Sequence, residues 1–137
     1  MKRISILTAA ALALLAGGAW AATATWTVSI IGPGGHSNGD YGNVNAVHAG
    51  ARAVTAIGKA LPEAVIADMR GGVSVNAIAG DCTFTVTVQG DEKTIAQAKA
   101  VVEKAVAEAA ASENAFRGVK QGDTVRGAPA EIRASVK

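Results

Sequence analysis

Two short segments hold most of the residues that could do chemistry. The first is Gly32-Pro33-Gly34-Gly35-His36-Ser37-Asn38-Gly39-Asp40-Tyr41-Gly42, and the second is Gly71-Gly72-Val73-Ser74-Val75-Asn76-Ala77-Ile78-Ala79. A glycine-rich loop can cradle a phosphate on its backbone N–H groups. This one lacks the Lys and Ser/Thr that complete a P-loop and has no dinucleotide-binding spacing. On residue types alone His36 is an exposed polar group in a glycine-rich connection, and Asn76 a turn residue satisfying nearby backbone. The histidines are His36 and His48, twelve positions apart. Neither sits in a His/Asp/Glu cluster, and Arg52 lies one helical turn after His48, so no metal centre and no cofactor are expected. Ser37 beside His36 does not make a nucleophile with an oriented base, and Asp40, Asp68 and Asp81 suggest no carboxylate pair. Cys82 is the single cysteine, which excludes an intrachain disulfide. It alternates with Phe84, Val86 and Val88, as a buried, unreactive thiol would.

The elements that must position these residues follow from hydrophobic period. Trp26, Val28 and Ile30 alternate with polar neighbours and predict a strand. A helix is predicted over 43–60, capped by Asn43, with Val47, Ala51, Val54 and Ile57 as its buried stripe; Pro62 lies beyond its end. Residues 64–70 read as a strand, Gly71-Gly72 as a hairpin turn, and 74–89 as one long strand, bulged at Gly80-Asp81. Asp91 caps a second helix to about Ser112, with Ile95, Ala98, Val102, Ala105 and Ala109 inward. Ile132, Ala134 and Val136 predict a last strand. The order β-α-β-β-α-β makes an α+β, ferredoxin-like fold: a four-stranded antiparallel sheet with both helices on one face. The other face is lined by Thr and Ser. In this topology 64–70 is an edge strand, apolar apart from Asp68 and Arg70, and its unpaired backbone groups predict a homodimer through it.

The first 21 residues read as a secretory signal: Lys2 and Arg3, an apolar run from Ile4 to Ala16, then Ala19-Trp20-Ala21 as a cleavage site. The run is shorter than the ~20 residues of a membrane span, so no stable span is expected after cleavage. The expected product is an exported domain, periplasmic or secreted, over 22–137. Lys2 and Arg3 leave with the signal, so the chain's 13 basic residues become 11, against 11 acidic. A near-neutral chain gives no electrostatic basis for binding nucleic acid.

Taken together, Gly-Pro-Gly-Gly-His-Ser, then Asn45-Ala46-Val47-His48-Ala49 opening a helix, then Gly-Gly-x-x-x-Asn-x-Ile, resemble the dimerisation (lid) domain of zinc metallopeptidases. These are the relatives of glutamate carboxypeptidase, peptidase T, aminoacylase and succinyl-diaminopimelate desuccinylase. The resemblance runs from about Trp26 to Lys137, with Ala79 where the family often has proline. It implies that the domain pairs with its twin, that His36 reaches into a partner's active site to polarise a carbonyl, and that Asn76 contacts substrate, with Gly34, Gly35, Ser37, Asn38, Gly71 and Gly72 as supporting loop residues. The family's zinc-ligand segments have no counterpart here, so the expected role is that of a lid without its own catalytic domain. That role is non-catalytic self-association with a peptide-like ligand, or supply of His36 in trans to a separate exported metallopeptidase or amidohydrolase.

Overall fold

The computed structural model describes residues 21–137; the signal expected over 1–21 lies almost wholly outside them. In chain order the elements are β1 (Ala22–Ile31), β2 (Gly35–His36), α1 (Ala46–Ala60), β3 (Val65–Gly71), β4 (Ala77–Ile78), β5 (Asp81–Gly90), α2 (Glu92–Arg117), β6 (Thr124–Val125), β7 (Ala128–Pro129) and β8 (Arg133–Val136). Strands β3, β5, β1 and β8 form, in that order, an antiparallel four-stranded sheet. The α+β, ferredoxin-like reading therefore holds, and β3 and β8 are its edges.

Strict alternation in the two central strands sends Trp26, Val28 and Ile30 of β1 and Cys82, Phe84 and Val86 of β5 to one buried face. Thr25, Thr27 and Ser29 pair with Thr87, Thr85 and Thr83 on the other, uncovered by either helix. Helix α2 closes the core with Ala98, Val102, Ala105 and Ala109, as its period predicts, and extends the stripe through Val106, Ala110 and Glu113. It runs past Ser112 to Arg117 because no breaker precedes Gly118 and because Glu113 has partners that hold it inside.

Helix α1 differs from expectation. Its N-cap is Asn45, whose side chain accepts from the N–H groups of Val47 and His48; Asn43 instead donates to Gly34 O at 2.8 Å. The buried stripe is Ala46, Ala49, Gly50, Ala53 and Ile57. Val47 and Val54 are half-buried and Ala51 is exposed. The smaller residues win the core face because they let the helix lie close: a Cβ on Gly50 would stand 2.5 Å from Cys82 Sγ. Of the expected stripe, Ile57 is buried, Val47 and Val54 pack half-buried at the rim of the core, and Ala51 is left on the helix flank.

Residues 74–89 are not one strand. Ala77–Ile78 leaves the main sheet to pair with Gly35–His36, and Ala79 O accepts from Ala46 N–H at 2.9 Å. Gly71-Gly72 ends β3 and does not turn directly into β5, which starts at Asp81. The bulge lies in β3, between Ala67 and Arg70, where Asp68 has φ 56°. Ile132 is buried just ahead of β8 and Val136 is half-buried against the core, whereas Ala134 is exposed.

Asp91 caps α2 as predicted, accepting from Thr94 N–H at 2.7 Å. Bonding to the Thr94 side chain and backbone holds its carboxyl below the usual aspartate value. A lowered folded-state pKa stabilises the native protein above the unfolded-state value and loses that effect as pH falls through the lowered one. Asp91→Asn keeps a capping oxygen without the charge, so it should flatten this part of the acid limb. Urea midpoints compared between about pH 6 and about pH 2.5, on either side of the ordinary aspartate range, check it.

Candidate functional site around His36 and Asn76

Four backbone links draw the two chemistry-bearing segments together. Strands β2 and β4 pair Gly35 with Ile78 and His36 with Ala77, Ser37 N–H donates to Asn76 O at 3.0 Å, and Gly32 N–H donates to Gly80 O at 2.9 Å. Gly34 makes the crossing possible: it has φ 64°, and a Cβ on it would lie 3.2 Å from Gly80 Cα. This juxtaposition brings the side chains of His36 and Asn76, forty positions apart, to 3.1 Å.

The hydrogen bonds fix the state of the ring. Asn38 N–H donates to His36 Nδ1 at 3.1 Å, so Nδ1 is the acceptor and a neutral imidazole carries its proton on Nε2. Nε2 faces the Asn76 amide. Two donors cannot face each other, so the amide satisfies its surroundings with its oxygen toward Nε2–H and its nitrogen toward Ser74 Oγ, 2.9 Å away on the Asn76 side-chain oxygen position; a hydroxyl accepts as readily as it donates. The result is an exposed imidazole whose Nε2–H is engaged by an exposed amide; a ligand amide bond can take both groups only by displacing this mutual contact, its carbonyl accepting from Nε2–H and its N–H donating to the Asn76 oxygen.

Asp40, to which the sequence assigned no partner, holds this loop. Its carboxylate accepts from His36 backbone N–H at 2.7 Å and from Arg126 Nη2 at 2.7 Å. It does not touch the imidazole, so the ring lacks the carboxylate that orients a catalytic base. Gly35 is required beside it: with φ 145°, a Cβ there would meet Asp40 Cβ at 2.5 Å. Gly71 and Gly72 stay at the end of β3, where Gly72 N–H donates to Asp81 Oδ1 at 3.3 Å.

A cleft of about 200 Å³ opens beside the loop, lined by Ser37, Tyr41, Asn43, Asn45, Ile78 and Arg117. A shallower groove of about 580 Å³ follows the outer face of α1 past His48, Arg52, Thr55 and Lys59, away from His36 and Asn76. His48 and Arg52 instead face Glu113, the buried carboxylate of α2, at 4.0 and 3.3 Å. Among the described residues no three His, Cys, Asp or Glu side chains converge to hold a metal ion. Cys82 is fully buried, and burial, then the charge of Asp81, pushes its thiol pKa up; a protonated, enclosed thiol is a poor nucleophile. No helix among the described residues is long and apolar enough to cross a membrane.

Three-dimensional similarity is extensive. A hydantoinase/carbamoylase family amidase from Burkholderia multivorans superposes with TM-score 0.65 at 17% identity over 85% of this chain and 27% of its own. A putative aminohydrolase from methicillin-resistant Staphylococcus aureus gives 0.55 at 17% identity, over 85% and 29%. An aminobenzoyl-glutamate utilization protein from Klebsiella pneumoniae gives 0.57 at 19% identity, over 86% and 28%. At such identities the likeness is one of fold, and the chain spans little more than a quarter of each of these proteins. No curated sequence matches it. The sequence profile of the peptidase dimerisation domain matches residues 22–115, which contain both β2 and β4 and the whole His36–Asn76 pair. The chain belongs to the peptidase dimerisation domain family.

Proposed function

We propose that this chain is an exported, non-catalytic lid-type module that self-associates through β3 and presents His36 and Asn76 to a peptide-like ligand. The reading takes residues 1–21 as a cleaved signal and 22–137 as the working domain. It is carried by one observation: the exposed His36 ring, through Nε2, and the exposed Asn76 amide are held 3.1 Å apart by a dedicated two-strand pairing. That arrangement suits an amide bond better than a phosphate, a metal or a nucleic acid.

Self-association is supported by β3 and by α1. The bulge leaves Val65–Ala67 as the regular part of the β3 edge, and Met69, 41% exposed, lies against Gly50 of α1. The half-exposed stripe of Val47, Ala51, Val54 and Gly58 continues that apolar surface onto the helix. A second copy pairing edge to edge would bring two such helix flanks together and cover both. Ala51→Glu adds a like charge to each flank at an exposed position, so it should leave monomer stability within about 0.5 kcal/mol and shift the dimer toward monomer. Sedimentation at several concentrations decides: a wild-type monomer at high micromolar concentration, or a dimer indifferent to the substitution, removes this part of the reading.

A second reading, that the module supplies His36 in trans to a separate exported zinc metallopeptidase or amidohydrolase, draws on the rim of the site. Val73 and Val75 flank Ser74 beside Asn76 and are 86% and 107% exposed. Protruding apolar side chains of that kind favour insertion into a partner's cleft. Capture from the native envelope with the wild-type protein and with Val75→Asp separates the two: a hydrolase retained by the first and lost by the second selects this alternative.

A further inference from the structure

The β6–β7 hairpin lies beyond the residues the family profile matches, yet it reaches back to the His36 loop. Its two central residues, Arg126 and Gly127, have φ 51° and 79°. A two-residue turn with both φ values positive favours Asn-Gly or Asp-Gly, and an arginine at its first position is disfavoured by its Cβ. The strained residue is the one whose side chain crosses 86 positions of sequence to place Nη2 2.7 Å from Asp40 Oδ1. The other Asp40 oxygen accepts from His36 N–H at 2.7 Å, and Asp40 N–H donates to His36 O at 2.8 Å. Although Arg126 is exposed, the Asp40 side chain is only 8% exposed. The hairpin base is itself tied, with Ala130 N–H donating to Asp123 O at 2.9 Å and Lys120 N–H to Asp123 Oδ2 at 2.8 Å.

We propose that Arg126 is a positioning residue for His36: through Asp40 it fixes the loop backbone so that Asn38 N–H meets Nδ1 and the ring proton stays on Nε2, toward the Asn76 amide. The proposal rests on the reading of His36 as a hydrogen-bond donor, but its test needs neither ligand nor partner. Arg126→Asn suits the turn better than the native residue, so it removes the guanidinium without weakening the hairpin. In protein labelled with ¹⁵N at the histidine rings, with His48→Gln used to assign the signals, the wild type should give widely separated Nδ1 and Nε2 shifts at neutral ring charge. In Arg126→Asn those shifts should converge as the two tautomers mix, and His36 amide exchange should quicken roughly two- to fivefold, the range an exposed ion pair supports. The thermal midpoint should hold or rise. Asp40→Asn should move the ring shifts the same way, and the double variant no further than Asp40→Asn alone. Unchanged ring shifts in Arg126→Asn, or additive effects in the double variant, overturn the assignment. If ligand binding fails in every form of the protein while the ring shifts behave as described, the proposed function is wrong and the positioning role stands.

Discussion

Glu113→Ala is expected to cost about 2–4 kcal/mol of folding free energy, the range for removing one partner of a buried, hydrogen-bonded ion pair. Glu113 has no exposed surface. One carboxylate oxygen accepts from Asn45 N–H at 3.1 Å and Arg117 Nε at 3.3 Å, and the other from Arg52 Nη2 at 3.3 Å. Alanine would leave an orphaned N–H at the cap of α1 and two guanidinium groups close together with no counter-charge. They lie at 5.5 and 5.0 Å from the Phe116 ring centroid, which offers them only a weak alternative. Both arginines retain some access to water, which keeps the cost below that of a fully enclosed pair. Glu113→Gln preserves an acceptor and should lose less than alanine; Arg52→Ala, at an exposed partner, should lose about 1 kcal/mol or less. Urea unfolding monitored by tryptophan fluorescence measures all three. A Glu113→Ala loss below 1 kcal/mol would mean that the carboxylate's desolvation already cancels its bonds.

How far these features were legible in the sequence depends on whether they are local. Strand β5 was, because Cys82, Phe84 and Val86 must all turn inward once the strand pairs, and nothing in 82–88 offers another period. The edge position of β3 followed from topology, and the Asp91 cap from its place before an apolar run. Helix α1 was misjudged by face because alanine reads as weakly apolar on every side, and close packing at Gly50 outweighed the larger Val47 and Val54. Glu113 was hidden for a related reason: a charged residue at a core position of α2 makes sense only with Asn45 and Arg52 in view, both more than sixty positions away. The pairing of β2 with β4 left no pattern, since two-residue strands are too short to show alternation. Resemblance and glycine content therefore singled out His36 and Asn76 separately, their contact left no mark in the sequence, and Asp40 and Arg126 carried no signal at all.

His36→Ala should separate function from folding more sharply than any other substitution. The imidazole is exposed and makes two bonds, one accepted from Asn38 N–H and one with the Asn76 amide. Their loss at an exposed site should cost about 1 kcal/mol or less. That exceeds the near-neutral effect expected of a histidine in an unstructured glycine loop, because the loop proves to be tied. Asn76→Ala removes the same contact and the link to Ser74 Oγ, while its backbone oxygen still accepts from Ser37 N–H, so its stability cost should be similar. The functional cost should be much larger. A preorganised donor aimed at a carbonyl that gains charge is worth roughly 10²–10³ in rate when deleted, so a captured hydrolase supplied with His36→Ala should slow by about that factor. Simple ligand binding, with a neutral carbonyl and solvent nearby, should weaken by only about 5- to 10-fold, as the loss of one ordinary hydrogen bond predicts. The size of the effect thus tells a donor used on a reacting carbonyl from one used on a bound peptide. An alanine variant that unfolds would make His36 a loop-locking residue. One that changes neither affinity nor rate would leave the His36–Asn76 pair as a structural clasp.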